Sequence, residues 1–305
     1  MSAPRVSVVI PAYNAAVFIE ETLDTVASQT YRDFEIIVVD DGSSDNTTEI
    51  VTAYLKRKEL HGRCIKQENK KIAGARNTGI AAAQGELIAF LDHDDAWFPT
   101  RLEQGLEAFD APPSVDLVCN DENITEQGKL LRVHHNGPLA DNMYERLLFK
   151  GNALSPSCVL VRKSKLDEIG GFREEPEFNT VEDYDLWMRL SRVARFRFIP
   201  KVLGEYHFEE RGASRRIVYH HTNTEHLLRD HFKSLFGDSP GAYASMRIHR
   251  RLAAVYRSAL GLLMTYGEDF KSQRQYASRM LTTFPFDPKN LAKAIIWAAK
   301  SLFSR

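Results

Sequence analysis

Short apolar runs alternate with segments of helical periodicity along the first 110 residues, and this alternation limits the folds that the chain can adopt. Three runs have the length and β-branched content of buried strands: Arg5–Ile10, Phe34–Val39 and Glu86–Leu91. The segments between them place apolar residues three and four positions apart, which predicts helices. Strands that alternate with helices predict an α/β fold with a mostly parallel, doubly wound sheet.

Acidic residues directly follow two of these strands. Asp40 and Asp41 end the second run, and Asp92, Asp94 and Asp95 end the third. In doubly wound sheets, ligands bind outside the carboxyl ends of the strands. Like charges at the end of a buried strand are costly without a counter-ion, and Mg²⁺ or Mn²⁺ prefers carboxylate oxygens. These acids predict a ligand crevice with a cation site, although a lone D-x-D pattern more often marks a solvated turn.

The composition and the absent motifs narrow the function. A net charge of −1 does not favour nucleic-acid binding, although residues 201–305 are basic, with 17 Lys and Arg against 9 Asp and Glu. Three scattered cysteines without a C-x-x-C pair favour a reducing compartment over a zinc or disulfide framework. Neither a dinucleotide fingerprint nor a P-loop occurs. No apolar run approaches ~18 residues and no signal-peptide pattern opens the chain, so we expect a cytoplasmic protein.

Four segments in the first ~105 residues carry a resemblance to a known family. In order they read V-S-V-V-I-P-A-Y-N, V-V-D-D-G-S-S-D-N-T, G-A-R-N-T-G and F-L-D-H-D-D-A-W-F-P. Together they resemble the nucleotide-binding half of an inverting family 2 glycosyltransferase with the GT-A fold. The resemblance implies that a nucleotide-sugar donor binds at Pro11, Ala12, Tyr13, Asn14, Asp40, Asp41, Arg76, Asp92 and His93.

The same resemblance implies a divalent metal ion, Mn²⁺ or Mg²⁺, at the donor diphosphate. Asp94 would hold it, helped by Asp92 and His207. His207 is a departure, since relatives commonly read Y-R-x-H where this chain reads Y-H-F-E at 206–209. His207 is therefore either a metal ligand or a structural histidine, and Arg211, Arg215 or Arg216 could instead contact the phosphates.

A second candidate site lies at 181–190, which reads V-E-D-Y-D-L-W-M-R-L. Helical spacing places Asp183 in the middle of an apolar stripe and Glu182 outside it. From spacing alone, Asp183 is either a helix cap or a catalytic base. With S-C-V-L-V-R and I-G-G-F, this segment resembles the acceptor half of the same family, which implies that Asp183 is the general base. Glu182 and Trp187 would then contact the acceptor.

Beyond Arg216, the pattern predicts four helices: Ile217–Phe236, Ala242–Tyr266, Lys271–Phe284 and Lys289–Phe303. In the last helix Leu291, Ile295, Ala298 and Leu302 share one face and lysines lie opposite. This predicts either peripheral membrane contact through residues 289–305 or packing on the enzyme or a second subunit. We expect a GT-A catalytic domain at 1–216, with a nucleotide-sugar half (1–110) and an acceptor half (111–216), and a helical region at 217–305.

These patterns predict a metal-dependent, inverting glycosyltransferase. Its donor would be a nucleotide sugar, with UDP-sugar favoured, and its acceptor a glycan or glycolipid used in polysaccharide or cell-envelope biosynthesis. The alternatives are a nucleotidyltransferase that makes the activated sugar and a non-catalytic sugar-nucleotide-binding protein. Metal-dependent UDP release on addition of acceptor distinguishes the transferase, whereas pyrophosphate release identifies the nucleotidyltransferase.

Overall fold

The structure is a computed structural model that describes residues 3–208, 216–266 and 269–303, with side chains described up to residue 300. The predicted phosphate contacts of Arg211 and Arg215 lie outside these residues. The chain divides into two compact units. The first takes the described residues within 1–147, 152–174 and 182–210, and the second those within 148–151, 175–181 and 211–305. The boundary expected at residue 216 stays a prediction.

A curled, mostly parallel sheet forms the centre of the first unit. Its strand order is β3-β2-β1-β4-β8-β6-β9-β5, with β7 paired to β6. The strands are β1 (Val6–Ala12), β2 (Phe34–Asp40), β3 (Gly62–Lys66), β4 (Leu87–Phe90), β5 (Ala96–Trp97), β6 (Leu117–Glu126), β7 (Lys129–His134), β8 (Val159–Arg162) and β9 (Phe196–His207).

Within the described residues, seven α-helices precede β9. They are α1 (Ile19–Ala27), α2 (Thr47–Arg57), α3 (Lys71–Ala82), α4 (Arg101–Asp110), α5 (Met143–Lys150), α6 (Lys163–Glu168) and α7 (Glu182–Leu190). Strands β1 and β2 are buried at every position, as parallel strands covered on both faces must be. The predicted doubly wound α/β architecture is confirmed.

The register aligns the carboxyl ends of the parallel strands. Ala12 pairs with Asp40, and Val9 of the same strand pairs with Phe90 of β4, so the acids after β2 and β4 leave the sheet at one edge. This edge is where the sequence places the crevice.

Strand β8 interrupts the parallel pattern. It runs antiparallel to both β4 and β6, so β6 points the same way as β4. Because Cys119 of β6 lies opposite Val159, the next residues of β6 emerge at the level of Leu91 and Asp92. Strands β6 and β7 form a hairpin that turns at Gln127 and Gly128.

In the described part of the second unit, the helices beyond residue 216 have bounds within one residue of the predicted ones. They are α8 (Ile217–Phe236), α9 (Ala242–Thr265), α10 (Phe270–Thr283) and α11 (Pro288–Phe303). Leu228, Tyr256, Leu260 and Tyr276 are among its buried side chains. Within the described residues, no helix has both the length and the apolar character needed to cross a bilayer.

Two helical glycines of the first unit provide a test of how closely α3 approaches the sheet. A Cβ on Gly79 of α3 would lie 2.3 Å from Cγ1 of Val9, whereas a Cβ on Gly105 of α4 would lie 3.5 Å from the nearest atom, on Leu160. We expect Gly79→Ala to lower the free energy of unfolding by about 1–3 kcal/mol through overpacking. Gly105→Ala should raise it by about 0.5–1 kcal/mol, because alanine favours the helix. Urea unfolding of both variants measures the difference, and equal effects would contradict the close α3–β1 packing.

Candidate active site

A buried guanidinium joins the two predicted chemical sites. Arg76 of α3 has a side chain that is only 2% exposed, and it donates to Asp92 Oδ1 at 2.7 Å and to Glu182 Oε1 at 3.0 Å. The two carboxylates raise the pKa of Arg76, against the effect of burial. The arginine thus places the first residue of α7 beside the end of β4.

This arrangement differs from the predicted role of Arg76. Arg76 is predicted to bind the nucleotide-sugar donor, but its guanidinium lies buried between two carboxylates and donates to both of them, so its contact with the donor stays a prediction. Helix α3 is rich in small residues, and this lets the arginine lie inside the unit rather than on its surface.

The acids after β4 have different environments. Asp92 keeps a side chain that is 21% exposed, and its backbone N–H donates to Ser157 Oγ. Asp95 is buried, accepts from Ser157 Oγ at 2.5 Å and from the His207 backbone N–H at 3.2 Å, and has a pKa raised well above its ordinary value by burial and by Asp92 and Asp94. Asp95 therefore holds the end of β9 against the turn after β4.

His207 reaches this region through its backbone. Its ring Nε2 lies 3.7 Å from Glu205 Oε2 and its side chain is 34% exposed. Within the described residues, no group of three or more His, Cys, Asp and Glu side chains is arranged as a metal site. The metal contacts of Asp94, Asp92 and His207 stay predictions. The oxygen-rich donor set of the two aspartates fits a hard cation such as Mg²⁺ or Mn²⁺.

Asp40 and Asp41 form a second acidic pair, at the end of β2. Asp40 is fully buried and accepts from the Ser43 backbone N–H and the Thr48 hydroxyl; these hydrogen bonds lower its pKa although burial opposes them. Asp41 accepts from Gln67 Nε2 at 2.7 Å and from a backbone N–H at 2.8 Å. Both carboxylates order the loop that follows β2.

The remaining residues predicted to bind the nucleotide lie along the same edge. Pro11 and Ala12 are buried at the end of β1, whereas Tyr13 is 51% exposed. Asn14 has a φ of 50° and accepts from the Ser44 backbone N–H. The carbonyl of His93 accepts from the hydroxyl of Thr22.

Helix α7 corrects the predicted burial of its acids. Glu182 and Asp185 are buried, and Asp183 is the most accessible of the three. Helix α7 does not have one apolar face and one polar face, because nearly all of its residues are buried. Two of its acids are buried within ion pairs. Asp185 pairs with Arg189 at 2.6 Å, and Glu182 pairs with Arg76.

Two consequences follow for the predicted acceptor contacts. Burial raises the pKa of Glu182 to about 7, although Arg76 opposes the shift, and its Oε2 atom has no hydrogen-bond partner within the described residues. Trp187 is completely buried and meets Phe90 edge to face at 6.4 Å. The structure therefore corrects the role of Trp187 from an acceptor contact to a core residue.

Asp183 has the geometry of an accessible base. Its Oδ2 accepts from Asn152 Nδ2 at 3.0 Å, and its Oδ1 accepts from the Tyr184 backbone N–H at 2.7 Å. A half-exposed carboxylate at the start of a helix is oriented yet open to a hydroxyl group.

Sequence reasoning missed a set of polar residues on β6 and on the segment before β8. Asp121 accepts from the Asn136 backbone N–H and lies 2.6 Å from His135 Nδ1. Glu122 accepts from Ser155 Oγ and Cys158 Sγ, both at 3.1 Å. The sequence N-D-E-N at 120–123 carries an acidic signal, but only the reversal at β8 shows that it lies at the same edge as Asp92.

Comparisons with known proteins match this chain to glycosyltransferases. The family model described as Glycosyl transferase family 2 matches residues 7–170. The amylovoran biosynthesis glycosyltransferase AmsB of Erwinia amylovora is 32% identical over 218 residues, which cover 68% of this chain and 71% of that protein. The chain spans 36% of the length of two uncharacterized glycosyltransferases of Rickettsia that it also matches.

Solved structures match the fold. TarS 1–349 of S. aureus in complex with UDP has a TM-score of 0.64 and 20% identity, covering 92% of this chain and 81% of that one. Mannosyltransferase PcManGT from Pyrobaculum calidifontis, in complex with GDP-Man and Mn²⁺, has a TM-score of 0.60 and 21% identity, covering 100% and 89%. At these identities the likeness is one of fold, and the GT-A-like fold is confirmed.

Glu122 makes the stability of the protein depend on pH. Burial raises the pKa of Glu122 to about 7 from an ordinary 4.5, so the native state holds this proton more tightly than the unfolded state does. As pH rises from 4.5 to 7, ionisation of this carboxyl should lower the free energy of unfolding by up to about 3 kcal/mol. Glu122→Gln should remove this part of the dependence.

Urea unfolding at pH 5 and pH 7.5 measures the effect. Glu107→Gln, on an exposed position of α4, is the matched control and should keep the wild-type dependence. If Glu122→Gln and the wild type lose the same stability between the two pH values, the buried carboxyl does not have this raised pKa.

Proposed function

The chain belongs to glycosyltransferase family 2, and on that premise we propose that it is a metal-dependent, inverting enzyme that transfers a sugar from a nucleotide sugar to a glycan or glycolipid. We take the donor to be a UDP-sugar and the pathway to be polysaccharide or cell-envelope biosynthesis. Family membership removes the nucleotidyltransferase alternative.

One observation carries the proposal. Arg76 binds Asp92, at the end of β4, and Glu182, the residue next to Asp183. A single buried guanidinium thereby sets the distance between the edge that would receive the donor and the carboxylate that would receive the acceptor proton. Direct displacement requires both partners to be held in line, so a fixed separation of these groups has a catalytic purpose.

The chemistry assigns different tasks to the carboxylates. Asp183 accepts the proton of the acceptor hydroxyl while its oxygen bonds to the anomeric carbon and the bond to the nucleoside diphosphate breaks. Attack from the face opposite the leaving group inverts the anomeric centre. Asp94 and Asp92 would hold the cation, which would stabilise the charge that develops on the diphosphate. Cations of this type are commonly bound by one or two carboxylates together with substrate phosphates.

The donor and acceptor classes rest on similarity. TarS is described with UDP and the mannosyltransferase with GDP-Man and Mn²⁺, which supports a nucleotide-sugar donor and a divalent cation. AmsB is named for amylovoran biosynthesis, which supports a polysaccharide product. Within the described residues Oε2 of Glu182 has no hydrogen-bond partner, so it gives the acceptor side one buried oxygen that a donated hydrogen bond would satisfy.

Two isosteric substitutions separate the two halves of the proposed site. Asp183→Asn should lower kcat by about 10²–10⁴ because the base is lost, and UDP should still raise the melting temperature in Mn²⁺. Asp94→Asn should abolish the metal-dependent part of that rise. The measurements are UDP release with an acceptor library and a thermal shift with UDP, GDP, CDP and dTDP, each with and without Mn²⁺.

Asp110→Asn is a control on an exposed ion pair with Arg5, at the end of α4, and should behave as the wild type in both assays. A thermal shift without UDP release from any donor and acceptor would favour the non-catalytic binding protein. Full activity of Asp183→Asn would overturn its assignment as the base.

We also propose that α11 contacts an anionic lipid bilayer. In the second unit, Trp297 stacks on Phe270 at 5.7 Å and donates to Gln273, so this side of α11 packs on α10. The apolar stripe points outward, with Leu291 46% and Ile295 69% exposed. Within the described residues of the second unit, much of this stripe is left uncovered.

Charge favours a lipid surface as the occupant. Between residues 288 and 303 the chain carries three lysines and no acid. A helix with an exposed apolar face and flanking lysines suits the interface of an anionic bilayer, where the apolar side chains enter the acyl boundary and the ammonium groups remain at the headgroups.

The double variant Leu291→Ser/Ile295→Ser tests this contact. Each lost apolar side chain removes about 1.5–3 kcal/mol of the free energy gained by burial in the bilayer. We therefore expect at least about tenfold weaker binding to phosphatidylglycerol–phosphatidylcholine vesicles. Val17→Ser, at an apolar position that is 82% exposed in the first unit, is the matched control. Wild-type protein that does not sediment with the vesicles, or a double variant that binds equally well, would contradict the proposal.

A further inference from the structure

We propose that Asn152 is a positioning residue that orients Asp183 for proton transfer. The inference rests on the proposed function, since it takes Asp183 to be the general base. Asn152 lies 31 positions earlier in the chain, and its Nδ2 donates to Asp183 Oδ2 at 3.0 Å. Both residues belong to the first compact unit.

The amide of Asn152 can be oriented in only one way. Its Oδ1 accepts from the backbone N–H groups of Ala153 at 2.8 Å and Leu154 at 3.2 Å. Both partners are donors, so the atom that faces them must be the oxygen, and the atom that faces Asp183 must be the NH₂ group.

The segment that carries Asn152 is fixed to the sheet. The carbonyl of Ala153 accepts from the Gly137 backbone N–H at 2.8 Å, and the Ser155 backbone N–H donates to Asn136 Oδ1 at 3.1 Å. The hydroxyl of Ser155 donates to Glu122 of β6. Since the amide is held by a segment bonded to β6, it can impose a direction on a carboxylate at the start of another element.

The consequence for Asp183 is orientation together with charge. A carboxylate that accepts from Nδ2 on one oxygen and from the Tyr184 backbone N–H on the other cannot rotate freely, and hydrogen bonds of this kind favour its ionised form. Arg76 also favours that form and Glu182 opposes it, since both interact electrostatically with Asp183. Asn152 is the neutral member of this set, so its contribution can be changed without removing a charge.

Two substitutions of Asn152 test the idea. Asn152→Asp keeps the oxygen that accepts from Ala153 and Leu154, and places a second carboxylate oxygen where the N–H group donated. We expect the acidic limb of the kcat/KM profile to move upward by about one pH unit or more, because two carboxylates in contact resist joint ionisation. Asn152→Ala should lower kcat about tenfold or more and leave the donor KM and the UDP thermal shift unchanged.

Asn142→Ala is the matched control. Asn142 is exposed, as Asn152 is, and also accepts from a backbone N–H, that of Glu145, but it lies at the start of α5. We expect this variant to keep the wild-type pH profile. If Asn152→Ala fails to fold, the isosteric Asn152→Asp variant alone decides the question, with melting temperature as the check on folding.

The outcomes distinguish failure of the positioning role from failure of the proposed function. If Asp183→Asn is inactive but both Asn152 variants keep the wild-type kcat and pH profile, the positioning role is overturned and the proposed function remains. If Asp183→Asn is active, the assignment of the base fails, whatever the Asn152 variants do. A moved acidic limb in Asn152→Asp with unchanged donor KM supports the positioning role.

Discussion

The ion pairs of Arg76 are the interactions on which the rest of the site depends. A guanidinium that is 2% exposed is tolerable only because Asp92 and Glu182 both accept from it, and Glu182 could not be buried there as a carboxylate without it. Removal of one partner of such a group typically costs about 3–5 kcal/mol, since the other charges stay buried. The arginine also links the end of β4 to the first turn of α7. Cation binding beside Asp92 would alter the ion pair of Asp92 with Arg76, and through it the ion pair of Arg76 with Glu182. A change at Glu182 would in turn alter cation binding, because such coupling is reciprocal.

The sequence predicted the fold where local patterns and global packing agree. The runs at 6–12, 34–40 and 87–90 are mostly apolar, as strands buried on both faces are, and the helices at 217–303 follow a clear helical period. It could not predict that β8 runs backwards, because a four-residue apolar strand reads the same in either direction. The level of Asp121 and Glu122 in the sheet follows from that reversal alone.

The candidate site was predictable to a smaller extent. Acids at strand ends could be placed at one edge, but their environments depend on partners far away in the chain. Asp183 was expected inside and Glu182 outside, and the structure reverses this because Arg76, 106 positions earlier than Glu182, accommodates the glutamate. Helical periodicity carries no information about a counter-ion that lies far away in the chain. Trp187 shows the same limit, since α7 is buried on nearly all sides and its aromatic residue belongs to the core.

The direction of β8 also determines where this family member can accept insertions and deletions. A reversed strand begins at the edge of the sheet where its parallel neighbours end. The seven residues 152–158, which lead into β8, therefore contact both Asp183 and Asp95. Deletion of one residue there would draw the chain in by about 3.3 Å and exchange the two faces of β8. Added residues at the β6–β7 turn would only extend an exposed hairpin. Length variation among related chains should therefore concentrate at 127–128 and avoid 152–158.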